Sequence, residues 1–461
     1  MNSLKMSFGI ALFFGLFIGA LAIHYSTEGT LEEASLRFNK KLIESKSAPQ
    51  DRLLEPSKIT SQIPKVEDEP SALFNDPAIN QAWGLQKTNA ARAWSVSQGS
   101  RGVVVAVIDT GADVKHEDLR NNFWKNPGEV GLDSKGKDKS NNGIDDDGNG
   151  YIDDVNGWNF VSNNNNLTDN HGHGTHIAGI IGAEGGNSKG IIGIAPQVSL
   201  MILKYFDPKT PATDNLKNTV NSIKYAIKMG ANVINYSGGG LEFSQEEHDA
   251  VAEAQKNGIL FVAAAGNEKS NSDKIHYYPA DYKLSNIISV TAYDPSMEVL
   301  ASSNYGVETV DLAAPGQNIL STLPGNSYGY MTGTSQATAF VSGAVVLIMA
   351  NQPAFKSDDI KKYILKTGDA MSSLADKTSS SRRLNLFKAL TTLDQEVSAT
   401  GIIAVNTDNL QGSFSSSPQK KKPGSQATKS PSDMTDFGKH LLNLMEKPKN
   451  PKLGTKPSDN L

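Results

Sequence analysis

The sequence contains no cysteine, so disulfide bonds are excluded and the chain must obtain its stability elsewhere. It also lacks an excess of either charge. Its 44 basic residues against 49 acidic ones give no reason to expect a nucleic-acid partner. No internal repeats are visible. With 461 residues, 38% of them hydrophobic, the chain is long enough to bury one large core.

Only one apolar run near the N-terminus bears on location. It covers residues 8–23, which is short for a membrane-spanning helix. Lys5 precedes the run, and Ala20, Leu21 and Ala22 lie near its end, as in a secretory signal that is cleaved after Ala22. The alternative for residues 1–25 is an uncleaved membrane anchor. Either way we expect the rest of the chain to be extracytoplasmic: secreted, periplasmic or held on the outer side of a membrane.

The central part of the chain alternates two patterns. A continuous apolar run, typical of a strand buried on both faces, occurs at 103–108, and strand-like runs follow at 198–206, 231–236, 258–262 and 286–292. Helix-like patterns occur at 215–229, 244–256 and 337–349. This alternation predicts an α/β protein: a three-layer doubly wound fold with a mostly parallel central sheet and helices on both faces.

Asp109 falls where the first apolar run ends, in VVVAVIDTG. In open α/β sheets the reacting groups gather outside the carboxyl ends of the strands, so a carboxylate here is a candidate functional group. A helix cap or turn aspartate is the alternative.

His173 lies in HGHGTHIAG, which indicates a loop entering a helix with small residues on its packed face. A zinc cluster of His171, His173, His176 and Asp169 is an alternative. The spacings of two and three residues match neither of the usual two-histidine helix patterns.

Ser335 lies in GTSQATAFVSG, just before the long apolar stretch at 337–349. We expect it at the N-terminus of a buried helix, where free N–H groups and the helix dipole favour negative charge. Asn267, in AAAGN, follows a strand-like run and could donate to an oxyanion together with the Ser335 N–H. Taken singly, the serine could be an N-cap and the asparagine a turn residue.

Together these residues predict an acyl-transfer site. A serine hydroxyl is a poor nucleophile until an imidazole takes its proton, and that imidazole needs a carboxylate to fix its tautomer. Ser335 would be the nucleophile, His173 the base and Asp109 the orienting carboxylate.

The four segments, in this order, resemble the subtilisin-like serine proteases, the subtilases, over about residues 76–395. Further matching segments lie at 83–94, 235–240, 314–319 and 382–390. The resemblance implies a serine endopeptidase with Asn267 as the oxyanion donor and no organic cofactor. It also implies that Ser237, Gly238 and Gly239 pair with the substrate as an added strand. We expect polypeptide substrates and a monomeric protein.

The chain departs from the family after the nucleophile, where Gln336 and Phe340 replace the usual methionine and histidine. Alignment of YYPADY with the family's pocket wall implies that Tyr277 intrudes on the first specificity pocket and that Glu268 lies at its mouth. A preference for small or for basic side chains stays open.

A calcium site is predicted in NNGIDDDGNGYIDDVN, at 141–156. Asp145, Asp147, Asn149, Tyr151 and Asp153 match ligand positions of an EF-hand loop, although the last position lacks the usual glutamate and no helical pattern flanks the loop. The alternative is a polar surface turn. Because five carboxylates within ten residues repel one another without a cation, we expect structural Ca²⁺ here.

Polar stretches flank the predicted peptidase domain at 76–395. Residues 26–75 are a pro-segment, by the family resemblance, or a spacer from an anchor. N-terminal sequencing of active enzyme separates the two, because processing predicts a start at 74–77 and a spacer a start at 23 or 1. Residues 396–461 form a Ser-, Pro- and Lys-rich tail that we expect to be disordered, with a docking or removable extension as the alternative.

Three functions remain open at this level: a broad exported endopeptidase, a narrow processing protease for one exported partner, and a catalytically idle binding protein. The presence of Asp109, His173, Ser335 and Asn267 together favours an enzyme.

Overall fold

A computed structural model describes residues 73–210 and 213–392. The predicted signal or anchor at 1–25, nearly all of the pro-segment or spacer at 26–75 and the tail at 396–461 lie outside the described residues.

Eleven strands are described in this part of the chain. They are β1 (Gly99–Asp109), β2 (Gly157–Asn159), β3 (Gln197–Lys204), β4 (Val233–Tyr236), β5 (Leu260–Ala264), β6 (Ile287–Tyr293), β7 (Leu312–Pro315), β8 (Ile319–Leu323), β9 (Ser327–Met331), β10 (Asp369–Ala370) and β11 (Arg382–Arg383). Nine form one sheet in the order β10-β11-β7-β6-β5-β4-β1-β3-β2, and β8 and β9 form a separate hairpin. Within the large sheet only the β10–β11 pair is antiparallel.

The central strands are buried on both faces, as the continuous apolar run at 103–108 predicted for the first of them. In β1, Val105 and Val107 join one hydrophobic cluster, whereas Ala106 and Ile108 join another. Successive side chains of a strand point to opposite faces, so the two clusters are the two sides of the sheet.

Eight α-helices accompany the described strands. They are α1 (Trp83–Lys87), α2 (Ala90–Trp94), α3 (His173–Gly182), α4 (Asn215–Lys228), α5 (Gln245–Lys256), α6 (Thr334–Asn351), α7 (Ser357–Thr367) and α8 (Leu386–Thr391). The apolar residues of α3 and α6 belong to one cluster and those of α4 and α5 to the other. The predicted three-layer fold with a mostly parallel sheet is thereby confirmed.

Helix α6 lies across the middle of the sheet and packs against β1 and β4 to β7. Its length and apolar composition would also suit a membrane span, and no other helix in the described ranges shares that property. Its side chains from Thr334 to Ile348 are buried in the protein, as expected of a core helix.

Candidate active site

The site lies at the carboxyl ends of β1, β4 and β5, which are neighbours in the sheet. Tyr236, the last residue of β4, is level with Ile108 of β1 and with Ala263 of β5. Asp109 follows Ile108 at the end of β1, and Ser237 follows Tyr236 at the end of β4. The two residues therefore lie side by side at the edge of the sheet. Parallel strands place such residues at one edge, where α/β proteins bind their ligands.

Asp109 is bound to His173. Its Oδ1 lies 2.8 Å from His173 Nδ1, and both side chains are buried. Burial lowers the pKa of His173, but the charge of Asp109 and this hydrogen bond raise it more, so the pKa lies above its usual value. No hydrogen bond among the described residues uses His173 Nε2, which leaves that nitrogen available for a proton.

Thr110 and Asp169 fix this geometry, a role that the sequence did not indicate for either residue. Thr110 Oγ1 donates to Asp169 Oδ1 at 2.9 Å and accepts from the Gly174 N–H at 2.9 Å. Asp169 Oδ2 accepts from the Thr175 N–H at 2.9 Å and from its hydroxyl at 2.7 Å. These bonds join the end of β1 to the first turn of α3, the helix that begins at His173. A threonine directly after Asp109 was the available signal.

Ser335 is the second residue of α6, and α6 packs against α3. Its hydroxyl donates to the Ser237 carbonyl at 3.1 Å, and the Ser237 hydroxyl donates to the Ser335 carbonyl at 3.3 Å. The serine is thus held against the end of β4, next to the strand that carries Asp109. Because it lies in the first turn, its N–H has no partner within the helix.

Asn267 lies just beyond the end of β5 and is half-buried. Its Oδ1 accepts from the Thr334 N–H at 3.0 Å, directly before Ser335. Because an N–H group must face an acceptor, this contact fixes which end of the amide is oxygen. No hydrogen bond among the described residues uses Nδ2, so its N–H groups are available beside Ser335.

The backbone at 237–240, which follows β4, is hydrogen-bonded at one end and has unpaired main-chain groups before it. Gly240 N donates to Tyr278 O at 2.9 Å, and Tyr278 N donates to Gly240 O at 2.7 Å. Within the described part of the chain the main-chain groups of Gly238 and Gly239 make no hydrogen bond. Such an open edge can accept an extended peptide as a further strand.

The three histidines do not meet in a zinc site. His176 Nε2 lies 3.0 Å from the Ile319 carbonyl and 3.2 Å from the Gly329 carbonyl, and burial lowers the pKa of His176 to about 3. It is therefore a neutral side chain that anchors the β8–β9 hairpin to α3. His173 and Asp169 are engaged in the contacts already described.

Three carboxylates do meet elsewhere in the described structure. The oxygens of Glu129, Asp147 and Asp154 lie within 4.8 Å of one another. Glu129 is fully buried, and its Oε2 has no hydrogen-bond partner there. Burial, with added repulsion from Asp154 and Asp147, raises the pKa of Glu129. An unpaired buried carboxylate oxygen facing two other carboxylates fits a hard cation such as Ca²⁺.

Of the loop residues predicted as calcium ligands, some lie at the carboxylate cluster and others make different contacts. Asp147 belongs to the carboxylate cluster, and Asn149 donates to Asp147 Oδ2 at 3.2 Å. By contrast, Asp145 accepts from backbone N–H groups of its own loop at 2.7 and 3.0 Å. Asp153 likewise accepts from backbone N–H groups, at 2.9 Å and beyond. The Tyr151 ring packs edge-on against neighbouring aromatic rings.

An aspartate-bound histidine and a serine at the start of a buried helix, gathered at one edge of a parallel sheet, are typical of a serine hydrolase. The sequence model of the subtilase family matches residues 100–414. The chain therefore belongs to the subtilase family, as the resemblance predicted, and is a serine endopeptidase that acts on polypeptides.

Several relatives support this assignment. The major intracellular serine protease of Bacillus subtilis (strain 168) is 37% identical over 267 residues, which cover 58% of this chain and 74% of that protein. Thermitase of Thermoactinomyces vulgaris is 35% identical over 317 residues, 68% of this chain and 98% of thermitase. The thermophilic serine proteinase of Bacillus sp. (strain AK1) is 35% identical over 311 residues, covering 66% and 67% of the two chains.

Proposed function

We propose that this endopeptidase works outside the cytoplasm through an acyl-enzyme, with Ser335 as nucleophile, His173 as base and Asp109 as the orienting carboxylate. The observation that carries the proposal is the 2.8 Å bond between Asp109 and His173 beside the N-terminus of α6. A fluorophosphonate probe tests it. Wild type should be labelled, Ser335→Ala should not, and labelling that survives the substitution would contradict the assignment.

In the proposed reaction the Ser335 hydroxyl exchanges its bond to Ser237 for one to His173 Nε2. Its oxygen then attacks the peptide carbonyl carbon while His173 takes the proton. The tetrahedral intermediate collapses, the C–N bond breaks, and His173 returns the proton to the leaving amine. Water, activated by the same histidine, hydrolyses the resulting ester and frees Ser335.

The open edge at Gly238 and Gly239 is the proposed substrate platform. A peptide laid along it as an added strand would bring its carbonyl to Ser335, because Ser237 already contacts that serine. Main-chain pairing of this kind holds any extended sequence, so it supports peptide binding without selecting side chains.

Asn267→Ala should lower kcat about 10²- to 10³-fold with a smaller change in KM, because the amide would bind the oxyanion only as charge develops. Steady-state kinetics on a peptide substrate measure this. Asn271→Ala is the matched control, since its side chain bonds within its own loop, to the Asp273 N–H. Asn267→Asp keeps the acceptor that holds Thr334, so recovery of activity in that variant would show a positioning role instead.

Export is supported by the N-terminal segment alone, the basic Lys5 followed by the apolar run at 8–23. Membrane attachment through 8–23 and a monomeric state belong to the same proposal. A narrow processing role for one exported partner is the second candidate, and degradation of a set of unrelated unfolded proteins by the purified enzyme would exclude it.

We further propose that structural Ca²⁺ is bound near the loop at 141–156, by Asp147 together with Glu129 and Asp154. The unpaired, fully buried Glu129 Oε2 is the supporting observation. The ion would neutralise the three carboxylates and tie the loop to the segment that carries Glu129. Sequence reasoning placed Asp147 in such a site but not Glu129, which lies 18 residues earlier.

Removal of calcium should lower the Tm by a few degrees. A ligand present at about 100 times its Kd stabilises the folded protein by about 2.7 kcal/mol. In a large domain this free energy corresponds to a change of a few degrees in Tm. Thermal melts with Ca²⁺ and with a chelator measure the difference. Glu129→Gln should abolish the dependence on chelator. Asp133→Asn should retain it, because Asp133 is a half-buried carboxylate outside the cluster that accepts from the Lys135 and Lys137 N–H groups of its own turn. Superimposable melts of wild type would refute the site.

A further inference from the structure

The ends of β4 and β5 form the two walls of a crevice beside Ser335. One wall is the backbone at 237–240 and the other is the backbone at 265–267, and Gly239 and Gly266 leave both walls without a side chain where they approach each other. A peptide lying on the open edge of the first wall, with its carbonyl at Ser335 and Asn267, directs the side chain of that residue into this crevice. The depth of the crevice therefore decides which side chains the enzyme accepts at the residue before the cleaved bond.

Tyr277 fills the crevice from wall to wall. A Cβ built on Gly239 would lie 2.4 Å from Tyr277 Cε1, and a Cβ built on Gly266 would lie 3.0 Å from Tyr277 Cδ2. These two carbons are opposite one another across the ring, so the two edges of the ring face the two walls. The side chain is only 4% exposed, which leaves little of the ring's surface open to a substrate.

The ring is held in place by its backbone. Tyr277 N donates to Asp281 Oδ2 at 2.8 Å, and the next residue, Tyr278, makes the two main-chain bonds to Gly240. Burial and the neighbouring charge of Glu268 raise the pKa of Tyr277 well above its usual value, so the phenol stays neutral. These bonds fix the backbone that carries the ring, and turning the ring out into solvent would expose an apolar surface that is now buried.

We propose that Tyr277 limits this endopeptidase to cleavage after small residues, of the size of glycine, alanine and serine. The inference rests on the proposed function and decides between the small and basic preferences that the sequence left open. Glu268 does not provide a lysine pocket, because its carboxylate accepts from Asn304 Nδ2 at 2.7 Å and the ring occupies the space that a four-carbon chain needs.

The test uses peptide p-nitroanilides that differ only in the residue before the cleaved bond: alanine, phenylalanine, leucine or lysine. Wild type should prefer alanine. Tyr277→Ala should raise the phenylalanine-to-alanine ratio of kcat/KM by about 10- to 200-fold, the range that such pocket contacts control. Tyr277→Phe should keep the wild-type preference, because the ring and not the hydroxyl fills the space.

Tyr278→Ala is the matched control. Its ring packs on Phe243 and Tyr282 instead of into the crevice, so the ratio should not change. Fluorophosphonate labelling of every variant separates the two proposals. An unlabelled wild type refutes the proposed nucleophile, whereas a labelled wild type that cleaves after phenylalanine or lysine as fast as after alanine refutes the role of Tyr277 alone. That wild-type profile decides the matter even if Tyr277→Ala does not fold.

Discussion

Replacement of Ser335 by alanine should reduce kcat about 10⁶-fold, the loss seen when the nucleophile of subtilisin is removed. No other hydroxyl is proposed to attack the substrate, so the acyl-enzyme cannot form. KM should change little, because the open edge at Gly238 and Gly239 would still bind the peptide. Kinetics at high enzyme concentration, together with a Tm, measure both effects.

Ser342→Ala provides the control for this substitution. Ser342 is also buried on α6, seven residues further on, and its hydroxyl donates to Asn235 Oδ1 at 2.8 Å. If loss of a buried hydroxyl from this helix were enough to disable the enzyme, the two variants would behave alike. We expect near-normal labelling by the probe in Ser342→Ala and none in Ser335→Ala.

Asp109→Asn should lower kcat about 10⁴-fold while leaving the fold intact. The carboxylate accepts from His173 Nδ1 and so fixes the proton on that nitrogen, which leaves Nε2 to act as the proposed base. An asparagine has no charge to stabilise the imidazolium that forms when the serine proton is taken. The loss should appear in kcat and in kcat/KM to a similar extent.

The same substitution should lower the pKa of His173. Asp109 is what holds that pKa above its usual value, and burial alone pulls it down. Because the base works as neutral imidazole, activity is lost on the acid side as pH falls through this pKa. Asp109→Asn should therefore move the acid limb to lower pH.

An NMR titration of the His173 ring, with Ser335→Ala as the background, measures this shift directly. Asp113→Asn is the control. Asp113 lies in the loop after β1, and its carboxylate accepts from the Lys115 N–H of that loop and from the Gly325 N–H between β8 and β9. An unchanged or raised pKa of His173 in Asp109→Asn would contradict the assigned contact.

The parallel sheet was predictable because its central strands are buried on both faces. The continuous apolar run at 103–108 and the strand-like runs after it predicted β1 and β3 to β6 to within about two residues at most ends, and helix-like patterns predicted α4 and α5. The positions of Asp109 and Asn267 at strand ends were predictable for a related reason, since both residues stand where apolar runs stop. Short elements such as β2, β10 and β11 carry too few residues for a periodic pattern, and their pairing depends on neighbours distant in sequence.

Contacts between distant segments are what the sequence could not supply. The carboxylate cluster joins Glu129 to Asp154 across 25 residues, and no local spacing marks Glu129 as a partner of the Asp-rich loop. The brace of Thr110 and Asp169 spans 59 residues in the same way. For Tyr277, alignment with the family's pocket wall placed the residue near the crevice, but only the positions of Gly239 and Gly266 show how completely the ring fills it.

The position of helix α6 also bears on the working lifetime of the enzyme. A helix packed on five strands separates from them only when the whole domain unfolds, whereas surface loops open locally and often. Ser335 therefore belongs to the last part of the domain to come apart. Self-digestion must begin instead at an exposed loop such as the one that carries Leu132 and Ile144, so the half-life of activity follows cleavage there and not fraying beside Ser335.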